Sequence, residues 1–113
     1  MHELSIVQNI VETTEQFAKE NNIPHVDKLT LQVGNATGVI PKYLHMYYSE
    51  VCAGTLLDGS ELEVEEIEAE AFCKNCGEVF YPFRTRQVCP ACNMETYDLI
   101  HGEELMIKEI GFK

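Results

Sequence analysis

Two short stretches, CKNC at 73–76 and CPAC at 89–92, carry four of the five cysteines in a C-x2-C-x12-C-x2-C pattern. Two residues between cysteines let both thiolates of a tight turn point at one ion, with backbone N–H groups close to the sulfurs. Two such knuckles supply the four ligands of a tetrahedral Zn²⁺ site. Gly77 and Asn93 directly follow the knuckles, where the turn calls for a positive φ that Gly and then Asn tolerate best. Cys73, Cys76, Cys89 and Cys92 are therefore expected to hold a structural zinc. Four thiolates leave no open position for water, which argues against a catalytic metal. Two redox pairs are a weak alternative, because a thioredoxin-type site is normally a single C-x-x-C at the start of a helix after a strand. Lys74, Arg84 and Arg86 are placed in sequence to offset part of the negative charge of four thiolates around one divalent ion.

A second candidate ligand set stands at the first three residues, Met1-His2-Glu3. The α-amine of Met1, the His2 backbone nitrogen and the His2 imidazole can reach one ion through fused chelate rings. Glu3 adds a backbone nitrogen or a carboxylate. Planar, nitrogen-rich sets suit Ni²⁺ or Cu²⁺, which favour square-planar or tetragonal geometry, whereas Zn²⁺ has no electronic preference for it. The bland alternative is Glu3 as a charge favourable at a helix N-terminus, with His2 solvated. Spacing alone leaves both open.

The elements that must position these residues follow from periodicity. Residues 4–20 carry Leu4, Val7, Val11 and Ala18 at helical spacing, with Ile6, Ile10 and Phe17 beside them. Asn21, Asn22 and Pro24 end the helix. KLTLQVG alternates Leu29, Leu31 and Val33 against Lys28, Thr30 and Gln32, which predicts a half-buried strand. Pro41 suits the first turn of a second helix through Tyr43, Leu44, Tyr47, Tyr48 and Val51, stopping at Gly54. Residues 61–71 alternate with a phase slip at Glu65–Glu66, which reads as one strand with a β-bulge. Six of the ten residues from 61 to 70 are Glu, which marks a solvated face that also discourages edge pairing. Between the knuckles, EVFYPFRTRQV reads as a short hairpin whose Val79, Phe80, Tyr81 and Phe83 cover the metal cluster. A strand at 103–112 closes the pattern. The simplest architecture is a small α/β domain with a cysteine-rich module inserted between two of its strands.

Composition bounds the function. Nineteen acidic against eight basic residues give a formal net charge of −11. Phosphate backbones and anionic membranes repel such a chain, so no nucleic acid and no membrane partner is expected, despite the aromatics and arginines near the knuckles. No window approaches the roughly 20 apolar residues of a bilayer span, and Glu3, Glu12 and Glu15 break up any signal-peptide core. A cytoplasmic protein is expected, where cysteine pairs serve metal rather than disulfides. Cys52, on the second helix, reads as a buried small hydrophobe. His45 reads as a surface histidine, His25 has no assigned role, and His101 is a candidate pH-responsive group.

In order along the chain, MHELSIVQNIV, LQVGNATGVIP, CAGTLLDGSELEVEE, CKNC, CPAC and GEELMIKEI resemble the HypA/HybF family of hydrogenase maturation proteins, which are nickel metallochaperones. The resemblance spans essentially the whole chain. It implies an α+β fold of two helices on a three-stranded sheet with a zinc-ribbon-like module. The nickel-binding domain would then be 1–71 plus 102–113, and the zinc-binding domain 72–101. It implies Ni²⁺ as cargo on His2 and its neighbours, structural Zn²⁺ on Cys73, Cys76, Cys89 and Cys92, and no enzymatic activity. The implied partners are a hydrogenase maturation GTPase and the [NiFe]-hydrogenase large subunit, with urease served by some members, and the implied state is a monomer or weak homodimer. Two features depart from the family. Many members carry an acidic residue near the start of the second helix, where this chain has Val39-Ile40-Pro41-Lys42, and the end GFK lacks an acidic tail. The rival interpretations are a zinc-ribbon module for protein or nucleic acid without a nickel role, and a redox or zinc-dependent enzyme.

Overall fold

The computed structural model describes residues 3–112. The elements run α1 (Glu3–Glu20), β1 (Lys28–Gly34), α2 (Pro41–Cys52), β2 (Glu61–Ile67), β3 (Glu70–Cys73), β4 (Val79–Phe80), β5 (Tyr97–His101) and β6 (Leu105–Gly111). They form two three-stranded sheets, ordered β2-β1-β6 and β4-β3-β5. The fold is α+β. The chain divides into two compact units, one of residues 1–32, 39–65 and 106–113, the other of 33–38 and 66–105. Among the described residues, no helix is long and apolar enough to cross a membrane.

In the first unit, α1 buries Val7, Val11, Thr14 and Ala18, one stripe at i, i+4, i+7 and i+11. Thr14 belongs to that stripe because its hydroxyl donates to the Ile10 carbonyl at 2.8 Å, so no polar group is stranded. Leu4 continues the stripe into the first turn but is exposed there, and Phe17 lies off the stripe and is exposed. The helix ends as expected: Asn22 has φ 57, and the Ile23 N–H returns to the Ala18 carbonyl at 2.8 Å. Pro41 opens α2, which buries Leu44, Tyr48 and Cys52. Leu29, Leu31 and Val33 of β1 are buried, but so is Thr30 on the opposite face. As the central strand, β1 is covered more fully than a half-buried strand. Across that face Lys28 pairs with Glu63 at 2.5 Å and Lys108 with Glu65 at 2.6 Å, while Gln32 donates to Glu65 at 3.1 Å. The glutamates of β2 are thus partly paired in place.

The stretch 61–71 is not one bulged strand. It breaks at Glu68–Ala69 into β2 of one sheet and β3 of the other. At the break the Ala69 N–H is taken by the Asn35 side-chain oxygen at 2.8 Å instead of a strand partner, and Glu68 forms a two-point ion pair with Arg84. Gly102 lies so close that a Cβ there would come within 2.4 Å of the Ala69 Cα, so the crossing requires glycine. The register irregularity sits instead between β3 and β5, where Glu70 faces His101 and Ala71 faces Leu99, leaving Ile100 as the extra residue.

The expected hairpin between the knuckles is also corrected. Only Val79–Phe80 is extended, paired with Ala71–Phe72, before a 3-10 turn at Pro82–Arg84. Pro82 cannot donate to a ladder, which limits the strand there. Of the four aromatics and aliphatics expected to cover the metal cluster, Phe80 does so, packing with Ala71, Cys73 and Cys89. Val79, Tyr81 and Phe83 are exposed.

Candidate metal centre

Strand β3 delivers Cys73 as its last residue, and the chain turns at once. The Cys73 N–H donates to the Glu78 carbonyl and the Gly77 N–H to the Cys73 carbonyl, both at 2.9 Å. The second knuckle repeats the pattern: Cys89 N–H to Met94 carbonyl at 2.9 Å, Asn93 N–H to Cys89 carbonyl at 2.8 Å. Gly77 has φ 77 and Asn93 φ 63, the positive values expected from the sequence. Two unrelated sequences therefore close the same turn by the same bonds.

These turns bring the four sulfurs within 4.8 Å of one another, with Cys73–Cys92 at 3.5 Å and Cys76–Cys89 at 3.6 Å. A tetrahedral site with Zn–S of about 2.3 Å requires sulfurs about 3.8 Å apart, so the donor set fits Zn²⁺ in kind and in spacing. Cys73 and Cys89 are buried, Cys92 half-buried and Cys76 exposed. Their electrostatics are those of a crowded anion cluster. The Met94 backbone N–H and then the Asn75 side chain pull the Cys92 thiol down to about 6. At Cys76 the Glu78 backbone N–H pulls the same way, but shielding from water and the neighbouring thiols push it up to about 12. Like charges this close cannot all form unaided, and a divalent cation removes the conflict.

Two of the three basic residues expected to offset the sulfurs, Lys74 and Arg84, are engaged elsewhere. Lys74 pairs with Asp98 at 3.3 Å. Arg84 is held by Glu68 and lies 4.5 Å from the Tyr81 ring centre. Sulfur is instead met by N–H groups, and Asn75 supplies two of them: its backbone N–H lies 3.4 Å from the Cys73 sulfur and its side-chain amide 3.6 Å from that of Cys92. Sequence reasoning gave Asn75 no role; its place inside a knuckle was the only signal.

At the other candidate site, Met1 and His2 lie outside the described residues. Glu3 is the first residue of α1, and its carboxylate accepts the Ile40 N–H at 3.3 Å, just ahead of Pro41. The segment Val39-Ile40-Pro41-Lys42, which carries no carboxylate, therefore contributes a backbone donor to Glu3. The remaining histidines stand apart: His45 is exposed on α2, His101 lies 3.9 Å from Glu70, and His25 bridges Asp27 and the Asp58 carbonyl at 3.1 and 2.8 Å. Cys52 is buried and burial raises its thiol pKa.

Fold and site together define a small α+β metal-binding protein with a zinc-ribbon-like four-cysteine centre. The family described as "Hydrogenase/urease nickel incorporation, metallochaperone, hypA" matches residues 1–112, and the chain belongs to this HypA family. It is 38% identical over 111 residues to the hydrogenase maturation factor HypA of Geobacter sulfurreducens, covering 97% of each chain. It is 33% identical over 110 residues to that of Acidithiobacillus ferrooxidans, again covering 97% of each. The solution structure of the Ni metallochaperone HypA from Helicobacter pylori shares the fold with a TM-score of 0.69 at 21% identity, over 99% of this chain and 97% of that one.

Proposed function

We propose that this chain carries Ni²⁺ at its N-terminal end and delivers it to the large subunit of a [NiFe]-hydrogenase in the cytoplasm, together with the hydrogenase maturation GTPase. His2 supplies its backbone nitrogen and imidazole, the Met1 α-amine a further nitrogen, and Glu3 its backbone nitrogen or carboxylate. Cys73, Cys76, Cys89 and Cys92 hold a structural Zn²⁺, which supplies cross-links and no open coordination position. The chain moves a metal rather than transforming a substrate.

The observation that carries the nickel proposal is the anchoring of Glu3. A helix that starts at Glu3, with its carboxylate tied to the Ile40 N–H, fixes the Glu3 end of the proposed ligand set. A terminal site releases metal by ligand exchange faster than a buried cage would. The test is a calorimetric Ni²⁺ titration of zinc-loaded protein with a free native N-terminus, wild type beside His2→Ala. One Ni²⁺ per wild-type chain and none in the variant is the expected result. Equal binding in both would reduce MHE to a helix start and favour a zinc-ribbon interaction module.

A further inference from the structure

We infer that Asn75 is a positioning residue of the four-cysteine centre, its side-chain amide holding the Cys92 sulfur from the opposite knuckle and so making Cys92 the protected arm of the cage. The inference rests on the proposal that the four thiolates hold Zn²⁺.

Three observations separate this role from an ordinary turn asparagine. First, backbone donors to sulfur are shared by both knuckles: the Asn75 N–H serves Cys73, the Glu78 N–H serves Cys76 and the Met94 N–H serves Cys92. Each comes from the residue two positions after its cysteine and would be made by any side chain. The Asn75 amide contact to Cys92 crosses from one knuckle to the other, and only a side chain of this length and polarity makes it. Second, asparagine is not needed for the backbone. Asn22 and Asn93 have positive φ, whereas Asn75 does not. Third, the chain contains its own control. The second knuckle has Ala91 at the position equivalent to Asn75 and closes with the same two backbone bonds. A C-x-x-C turn of this protein therefore forms without an amide there.

The chemical consequence is an asymmetric cage. An N–H donor to a metal-bound thiolate stabilises the deprotonated, ligating form against protonation and lowers its nucleophilicity. Cys92 is half-buried and receives both the Met94 backbone and the Asn75 side chain, whereas Cys76 is exposed and lies against Cys89 in the other close pair. Electrophiles should attack the loaded cage at Cys76, and the metal should leave from that side.

The experiment compares wild type, Asn75→Ala, Asn75→Gln and Asn75→Asp, with helical melting as a fold control. Each is loaded with Co²⁺ to read the sulfur-to-metal charge-transfer band, then with Zn²⁺ for chelator competition and for timed alkylation followed by mass mapping. In wild type, Cys76 should be alkylated first. In Asn75→Ala the charge-transfer band should move to lower energy, Zn²⁺ affinity should fall about tenfold, and Cys92 alkylation should rise by a similar factor, with melting of α1 and α2 unchanged. Partial recovery in Asn75→Gln, with none in Asn75→Asp, would tie the effect to the amide donor. An unchanged band and unchanged Cys92 labelling in Asn75→Ala, or wild-type behaviour in Asn75→Asp, overturns the inference. A wild-type chain that gives no four-thiolate Co²⁺ spectrum overturns the zinc proposal itself, and the role of Asn75 falls with it.

Discussion

Glycine occupies two kinds of position in this molecule, and substituting each kind has a different cost. Gly38 has φ 77 with nothing within 4 Å of where a Cβ would stand. Gly102 has φ 118, and its Cβ would come within 2.4 Å of the Ala69 Cα. Gly38→Ala meets only the backbone strain of a left-handed residue, about 1 kcal/mol. Gly102→Ala adds a backbone collision where 101–105 crosses 67–70, so a loss of about 3 kcal/mol or more is expected. Urea unfolding of the two variants checks the order; equal losses would mean that the crossing yields easily. At this scale the sequence was informative where one residue type answers one local demand. Gly77, Asn93 and Asn22 stand where a turn needs positive φ, and Pro41 where a helix needs no N–H. It was uninformative where the demand comes from a distant segment, as with Asn35 capping Ala69 or Glu68 held by Arg84.

The same distinction explains which elements were legible. The helices and β1 were visible because apolar residues along them repeat with the element's own period, even though Thr30 on the other face of β1 is buried too. The split of 61–71 was not, since an alternating pattern looks the same whether a strand stays in one sheet or leaves it, and only Gly102 and Asn35 make the departure workable. Loops have no period at all, and the His25 bridge lies between two of them, after α1 and after α2. Its ring nitrogens face the Asp27 carboxylate and the Asp58 carbonyl, and both acceptors are satisfied at once only by the protonated ring. The Asp58 carbonyl, and then Asp27, raise the His25 pKa above its ordinary 6.5. A raised folded-state pKa gives stability that is fully present below 6.5 and is lost as pH rises through the higher folded value. His25→Gln should therefore lower the urea midpoint below pH 6, with the gap to wild type closing under alkaline conditions. A gap independent of pH would mean that the ring acts only as a neutral hydrogen-bonding spacer.

For the molecule as a whole, the two units are held together internally by different means. The first has an apolar core that includes Val7, Val11, Leu29, Leu31, Leu44 and Leu57, all buried. The buried cluster at the knuckles of the second is Ala71, Cys73, Phe80 and Cys89, with Cys92, Tyr97 and Leu99 packed against it. Two of those four buried residues are cysteines, and an apolar cluster this small cannot offset the entropy of ordering its chain. Metal–thiolate bonds are the remaining source, and structural zinc in small domains contributes on the order of 10 kcal/mol of folding free energy. Stripping the metal with a strong chelator, or Cys89→Ser, should therefore abolish amide protection across 66–105. Helical circular dichroism from α1 and α2 should persist, because their core contains none of the four ligands. Protection of 66–105 that survives both treatments would show that this unit folds on its packing alone, and the four cysteines would then need a role other than holding it together.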